Sequence, residues 1–148
     1  MSLLEQLKTE MKNAMRAKDK NRLGVIRMAL SAVKQAEIDH KSEPTDENII
    51  AILTKMVKQR KESIKMYTDG GRTELAEIEQ AEVATLEEFL PQALSNEEIA
   101  ALIQKAITDT GAASMADMGK VMGVLKPAMQ GRADLGAVSG QVRAALNN

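Results

Sequence analysis

The sequence predicts an all-α protein, and three observations predict it. Apolar residues recur at spacings of three and four along nearly every stretch, the period of one helix face. No stretch alternates apolar with polar residues as a half-buried strand would. Helix punctuation is frequent: Ser2 with Glu5 and Ser95 with Glu98 have the form of capping boxes, and Gly70-Gly71, Pro91 and Gly111 stand where the periodicity stops.

About seven helices follow in order. The first opens at Ser2 with its capping box to Glu5, buries Leu4, Leu7, Met11 and Met15, and ends near Lys18. The second runs from about Lys20 to Asp39 with Leu23, Ile26, Leu30 and Val33 inward, and Ser42-Glu-Pro-Thr45 breaks it. The third starts at Thr45 or Asp46, turns Ile49, Ile50, Leu53, Met56, Val57, Ile64 and Tyr67 inward, and reaches Thr68 before Gly70-Gly71. The fourth spans about Arg72 to Leu90, presents Leu75, Ile78, Leu86 and Phe89, and stops at Pro91. Ser95 opens the fifth, which buries Ile99, Leu102, Ile103 and Ile107 and closes at Gly111. Asp117 and Asp134 each supply a cap for a further helix, residues 117–129 and 134–146, and Pro127 is placed to kink or shorten the first of these. Periodicity lapses between Pro91 and Ser95. The chain therefore divides into an N-terminal four-helix unit, residues 1–92, and a smaller three-helix unit, residues 93–148.

Composition narrows the chemistry. The 148 residues hold no cysteine, so disulfides and thiolate metal sites are excluded. A single histidine, His40, falls among charged residues at the end of the second helix, where a solvated ring is expected, and the scattered carboxylates offer no clustered ligand set. No loop of the GxxxxGK[ST] form is present to cradle nucleotide phosphates. Neither a cofactor nor a metal is expected, and no catalytic residue is assigned. The opening Met1-Ser2-Leu3-Leu4-Glu5 brings charge at once, without an apolar run behind a basic cap, so no membrane association is expected and the cytoplasm is the default compartment.

The net charge of −1 argues against indiscriminate nucleic-acid binding, and no DNA partner is expected. Its distribution says more: residues 1–65 carry net +5, residues 66–110 net −8 and residues 111–148 net +2. Tyr67 and Phe89 are the only aromatics, so a platform for stacking unpaired bases is missing. Lys20, Arg27, Lys34 and Lys41 recur every seven residues and share one side of the second helix. That stripe can either follow phosphates along an RNA backbone or lay its stems beside Leu23 and Leu30 with its charges solvated or paired to Glu37. Lys55, Lys58, Lys61 and Lys65 lie opposite the apolar face of the third helix and read as a solvated surface.

Two charges fall inside apolar faces. Arg60 projects between Met56 and Ile64, and Glu82 between Ile78 and Leu86. Since either charge alone is costly to bury, an Arg60–Glu82 ion pair is expected, with Glu79 as an alternate or second acceptor and with a role in helix register.

Six of the nine glycines fall in the last 38 residues. Gly119 and Gly123 lie one turn apart, as do Gly136 and Gly140. Such pairs flatten a helix face, either for close helix-to-helix packing or, beside Lys120, Lys126 and Arg132, for approach of a sugar-phosphate backbone.

Gly119-Lys120-Val121-Met122-Gly123, followed by Gly131-Arg132-Ala133-Asp134, resembles the closing region of the YqeY-like family and of the tail domain of GatB, the B subunit of a glutamine-dependent aminoacyl-tRNA amidotransferase. Asp19, Arg22-Leu23, Ile26-Arg27, Lys58-Gln-Arg-Lys-Glu-Ser-Ile64, Gly71-Arg72, Glu79, Glu82 and Leu90-Pro91 match in order and approximate spacing, so the resemblance covers nearly the whole chain. It reaches only the tail of GatB, since no catalytic, nucleotide-binding or zinc portion of that subunit is recognisable here.

The resemblance implies a tRNA-binding or tRNA-enzyme accessory module. The GatB tail is implied to meet the outer, elbow part of tRNA, and similar domains are appended to some glutaminyl-tRNA synthetases. Such a module would recognise folded RNA by phosphate and shape, without an active site of its own. Lys120, Lys126 and Arg132, with Gly119, Gly123 and Gly131, are the first candidates for the RNA surface, and Arg27 and Lys34 stand behind them. Two other roles stay open. One is a component of glutamine-dependent tRNA amidotransferase activity, a carbon–nitrogen ligase with glutamine as amido-N-donor. The other is an interaction module whose acidic middle, Glu74 to Glu98, docks on a basic partner such as an aminoacyl-tRNA synthetase.

Overall fold

The computed structural model describes residues 2–147. Among them lie seven α-helices: α1 (Leu3–Arg16), α2 (Lys20–His40), α3 (Asp46–Asp69), α4 (Thr73–Glu87), α5 (Asn96–Thr110), α6 (Met118–Met129) and α7 (Leu135–Leu146). The chain is all-α, and α1–α4 and α5–α7 form two compact units that divide between Leu90 and Pro91.

The caps explain where most helices begin. Ser2 and Ser95 each accept the amide of the glutamate three residues on, and that glutamate reaches back to the cap amide, satisfying two otherwise unpaired donors. Thr45 forms the same reciprocal arrangement with Asn48. Asp19 accepts the Arg22 amide at 3.1 Å immediately after Lys18, which turns the chain out of α1 in a left-handed conformation at φ 56°. Gly111 ends α5 at φ 67° and Gly131 reverses the chain between α6 and α7 at φ 76°, conformations that favour glycine.

In the N-terminal unit the core joins Leu3 and Leu7 of α1, Val25, Ile26, Ala29 and Val33 of α2, Ile49, Leu53, Met56 and Val57 of α3, and Val83, Leu86 and Phe89 of the α4 region. Three faces are rotated from those expected. On α1, Ala14 is buried while Met15 is 49% exposed. On α2, Val25 and Ala29 occupy the centre, with Leu23 and Leu30 at its margin. On α4, Ala76 and Val83 face inward and Ile78 is 58% exposed. On α1 and α4 a small residue, Ala14 or Ala76, takes the buried place, and the larger Met15 and Ile78 are left outward.

Arg60 and Glu82 meet as expected, Nε to Oε2 at 3.1 Å, with the arginine only 8% exposed. The guanidinium also donates to the Met56 carbonyl at 3.3 Å and lies 3.7 Å from the Met28 sulfur, so one side chain ties α2, α3 and α4 together. Glu79 stands nearby, its pKa raised by burial and by the Glu82 carboxylate, with Arg60 opposing that rise. A second tie is Arg22, which bonds Glu10 of α1 at 3.2 Å and Glu88 just beyond α4.

The C-terminal unit has its own core, built from Ile103 and Ala106 of α5, Val121, Leu125 and Met129 of α6, and Val138, Val142 and Leu146 of α7. Met118 and Met122 fill its margin. A 3-10 turn, Met115–Asp117, leads into α6. Asp117 does not cap α6 with its side chain; its carboxylate accepts the Ala113 amide at 2.9 Å, which stabilises the turn, and this bond is the main reason its pKa is lowered. Asp134 does cap α7, accepting the Gly136 amide at 3.0 Å.

Candidate nucleic-acid interface

On α6 the buried residues Val121, Leu125 and Met129 occupy one side. At 3.6 residues per turn, Lys126, Gly119, Gly123 and Lys120 fall in that order around the opposite side, an arc of about 120° with a lysine at each margin and glycine between them. All four are exposed. A Cβ added at Gly119 or Gly123 would meet nothing within 4 Å. Close packing against another helix of the same unit therefore does not account for these glycines, which corrects one of the two uses their spacing allowed. Pro127 sits within α6 and has no N–H, so the Gly123 carbonyl lacks its usual donor four residues ahead.

The glycines of α7 behave alike. Gly140 has nothing within 4 Å of an added Cβ, and Gly136 would meet only the Asp134 carboxylate, at 3.3 Å. Both project onto the side opposite Val138, Val142 and Leu146, and Arg143 projects beside them. Arg143 is exposed. Sequence reasoning passed over this arginine because it lies outside the glycine-rich stretch 119–134. The signal was nonetheless there, three residues after Gly140 on the same helix face.

The candidate cations are not equivalent. Lys126 is exposed, with no acidic partner within salt-bridge distance among the described residues. Lys120 approaches Asp117 at 3.8 Å, yet its side chain remains 71% exposed, a loose pairing across one turn. Arg132 is committed to the fold: its Nε donates to the Gln92 carbonyl at 3.0 Å, and its own carbonyl accepts the Leu94 amide at 2.8 Å. It pins the segment leading into α5 against the turn that Gly131 makes. Arg27 and Lys34 belong to the other unit, both exposed on α2, with Lys34 near Glu37 at 3.8 Å.

Four carboxylates of the acidic middle pair with cations within the molecule. Glu74 bonds Arg72 at 3.1 Å, Glu82 bonds Arg60, Glu87 approaches Lys61 at 3.6 Å and Glu88 bonds Arg22. Glu98 is engaged in the α5 capping box, and its pKa is lowered chiefly by the Ser95 amide. His40 ends α2 in an exposed position. Among the described residues no three His, Asp or Glu side chains gather as a metal site would require, and no helix is long and apolar enough to cross a membrane.

Similar proteins are found in yeasts. Over 107 residues the chain is 39% identical to altered inheritance of mitochondria protein 41, mitochondrial, of Kluyveromyces lactis, covering 70% of this chain and 57% of that protein. Over 101 residues it is 40% identical to the protein of the same name from Clavispora lusitaniae, covering 66% and 58%. A Schizosaccharomyces pombe protein without an assigned function is 29% identical over 90 residues, 61% of this chain and 73% of its own length. The chain thus spans between half and two thirds of the length of the named relatives. Their names overturn the cytoplasmic expectation, since they state the mitochondrion. That expectation rested on no positive signal, because the composition of a helical domain is compatible with either compartment. With all seven helices but for Leu3 inside the match, which runs over residues 4–146, the chain belongs to the Yqey-like protein family.

Proposed function

We propose that this protein is a tRNA-binding accessory of a tRNA-modifying or tRNA-charging enzyme, holding folded RNA by its phosphates and shape. The observation that carries the reading is the set of solvent-facing glycines inside α6 and α7. A glycine within a helix costs about 0.5–1 kcal/mol relative to alanine. Gly123 and Gly140 incur that cost, and Gly119 in the first turn of α6 a part of it, with nothing of the protein near the missing side chain. Close approach by another molecule's backbone gives the absence of a Cβ a use, and Lys120, Lys126 and Arg143 beside the same faces favour a polyanion.

Docking on a basic protein through the acidic middle is less favoured, because the carboxylates of Glu74, Glu82, Glu87 and Glu88 already have cationic partners. Bond-making we assign to the partner enzyme. A chain without cysteine and with one exposed histidine offers poor material for releasing ammonia from glutamine.

The test is retention of tRNA, from total and organellar pools, by the parent and by a Lys120→Ala/Lys126→Ala/Arg143→Ala variant across a salt series. The parent is expected to bind with a steep salt dependence. The variant should lose about tenfold or more in affinity, with a slope of log K against log salt shallower by about two to three. Absence of salt-sensitive retention by the parent contradicts the reading. So does ammonia release from glutamine by the purified chain, which would return the chemistry to this protein.

A further inference from the structure

The geometry points to a second RNA-backbone surface, on α2 of the N-terminal unit, formed by Lys20, Gly24, Arg27, Ser31 and Lys34. These residues step by four, three, four and three, so they make one ridge on the helix. All five are exposed, on the side away from the buried Val25, Ile26, Ala29 and Val33. The ridge alternates a cation with a small residue, and a Cβ at Gly24 would meet nothing within 4 Å. It therefore repeats, in an unrelated helix, the pairing of open glycine with flanking cations found on α6.

Charge favours the same occupant. Between Asp19 and Glu37 the chain carries Lys20, Arg22, Arg27 and Lys34 and no carboxylate. Arg22 points elsewhere, held by Glu10 and Glu88. That leaves Lys20, Arg27 and Lys34 in line over about 21 Å of helix, with only Lys34 near an acid, Glu37 at 3.8 Å. A straight, glycine-interrupted line of cations, with carboxylates only at its ends, suits the phosphates of a nucleic-acid backbone. The choice of RNA as that backbone rests on the function proposed above.

Two variants of the full chain test it. Arg27→Ala/Lys34→Ala, with α6 and α7 intact, is expected to weaken tRNA binding by about tenfold and to reduce the salt slope by about 1.5. Gly24→Gln retains every charge and replaces the poorest ordinary helix former with a good one, so its Tm should rise while its tRNA affinity falls. Opposite movement of stability and binding cannot arise from damage to the fold. If both variants bind like the parent while the Lys120/Lys126/Arg143 variant loses binding, the α2 surface is refuted and the function stands. If the parent itself fails to bind tRNA, both fall together.

Discussion

Arg60 stands where the periodicity of α3 calls for an apolar side chain, and its surroundings show how a charge survives there. Its guanidinium meets Glu82 at 3.1 Å and the Met56 carbonyl at 3.3 Å, so both the charge and its donors are used. Arg60→Met is expected to destabilise the protein by roughly 1–3 kcal/mol, since Glu82 would be left part-buried without its partner. Adding Glu82→Leu should recover most of that loss, and chemical denaturation of both variants checks it. Glu79 is the opposite case. Burial and the Glu82 charge raise its pKa, so the folded state holds its proton more tightly than the unfolded chain does. The stability linked to this group is fully present below the ordinary glutamate pKa of about 4.3 and is lost as pH rises through the raised folded value. Glu79→Gln should therefore stabilise the protein at pH 7, by roughly 0.2–0.5 kcal/mol as expected for relief of one like-charge pair, and the gain should disappear toward pH 4. Thermal melts of parent and variant at the two pH values read it. A gain that persisted at pH 4 would mean that charge is not the cause.

At the scale of elements, helix positions were legible because caps and stops are local chemistry. Ser2, Ser95 and Asp134, expected as caps, each accept a backbone amide at the start of a helix, and Gly70 and Gly111 lie at helix ends, whereas Asp117, also expected as a cap, does not cap α6. Rotation about the helix axis was less legible. The periodicity of α1 and α4 led to Met15 and Ile78 as core residues because large side chains carry the apolar signal, whereas Ala14 and Ala76 are the residues buried. Alanine fits buried and exposed sites alike, so only the partner helix decides. The Arg60–Glu82 pair was legible despite that rotation, because a long arginine reaches a carboxylate near the edge of the facing helix as readily as one at its centre. The glycine pairs show the reverse difficulty. Spacing alone admits either a packed crossing or an open face, and the empty space around Gly119, Gly123 and Gly140 distinguishes them.

For the whole molecule, a small net charge conceals paired carboxylates in the middle region and open cations on either side of it. Carboxylates of the middle region are joined to Arg22, Arg60, Lys61 and Arg72, while Lys20, Arg27, Lys126 and Arg143 stand exposed without an acidic partner within salt-bridge distance among the described residues. A chain of net charge −1 can thus present positive faces. The candidate surface was partly legible: Lys120, Lys126, Gly119 and Gly123 share an open arc of α6, but Arg132 is drawn into the fold by Gln92 and Leu94, and Arg143 replaces it as an exposed cation. Nothing in the residue types of Arg132 and Arg143 separates them; a carbonyl within reach does. The most direct test of the central claim, that open glycines on α6 admit an RNA backbone, is the tRNA affinity of Gly119→Ala/Gly123→Ala at fixed salt, read beside its Tm. A Tm above the parent is expected, from about 0.5–1 kcal/mol of helix stability at Gly123 and less at Gly119 in the first turn, together with weaker binding. Undiminished affinity in the stabilised variant would contradict it.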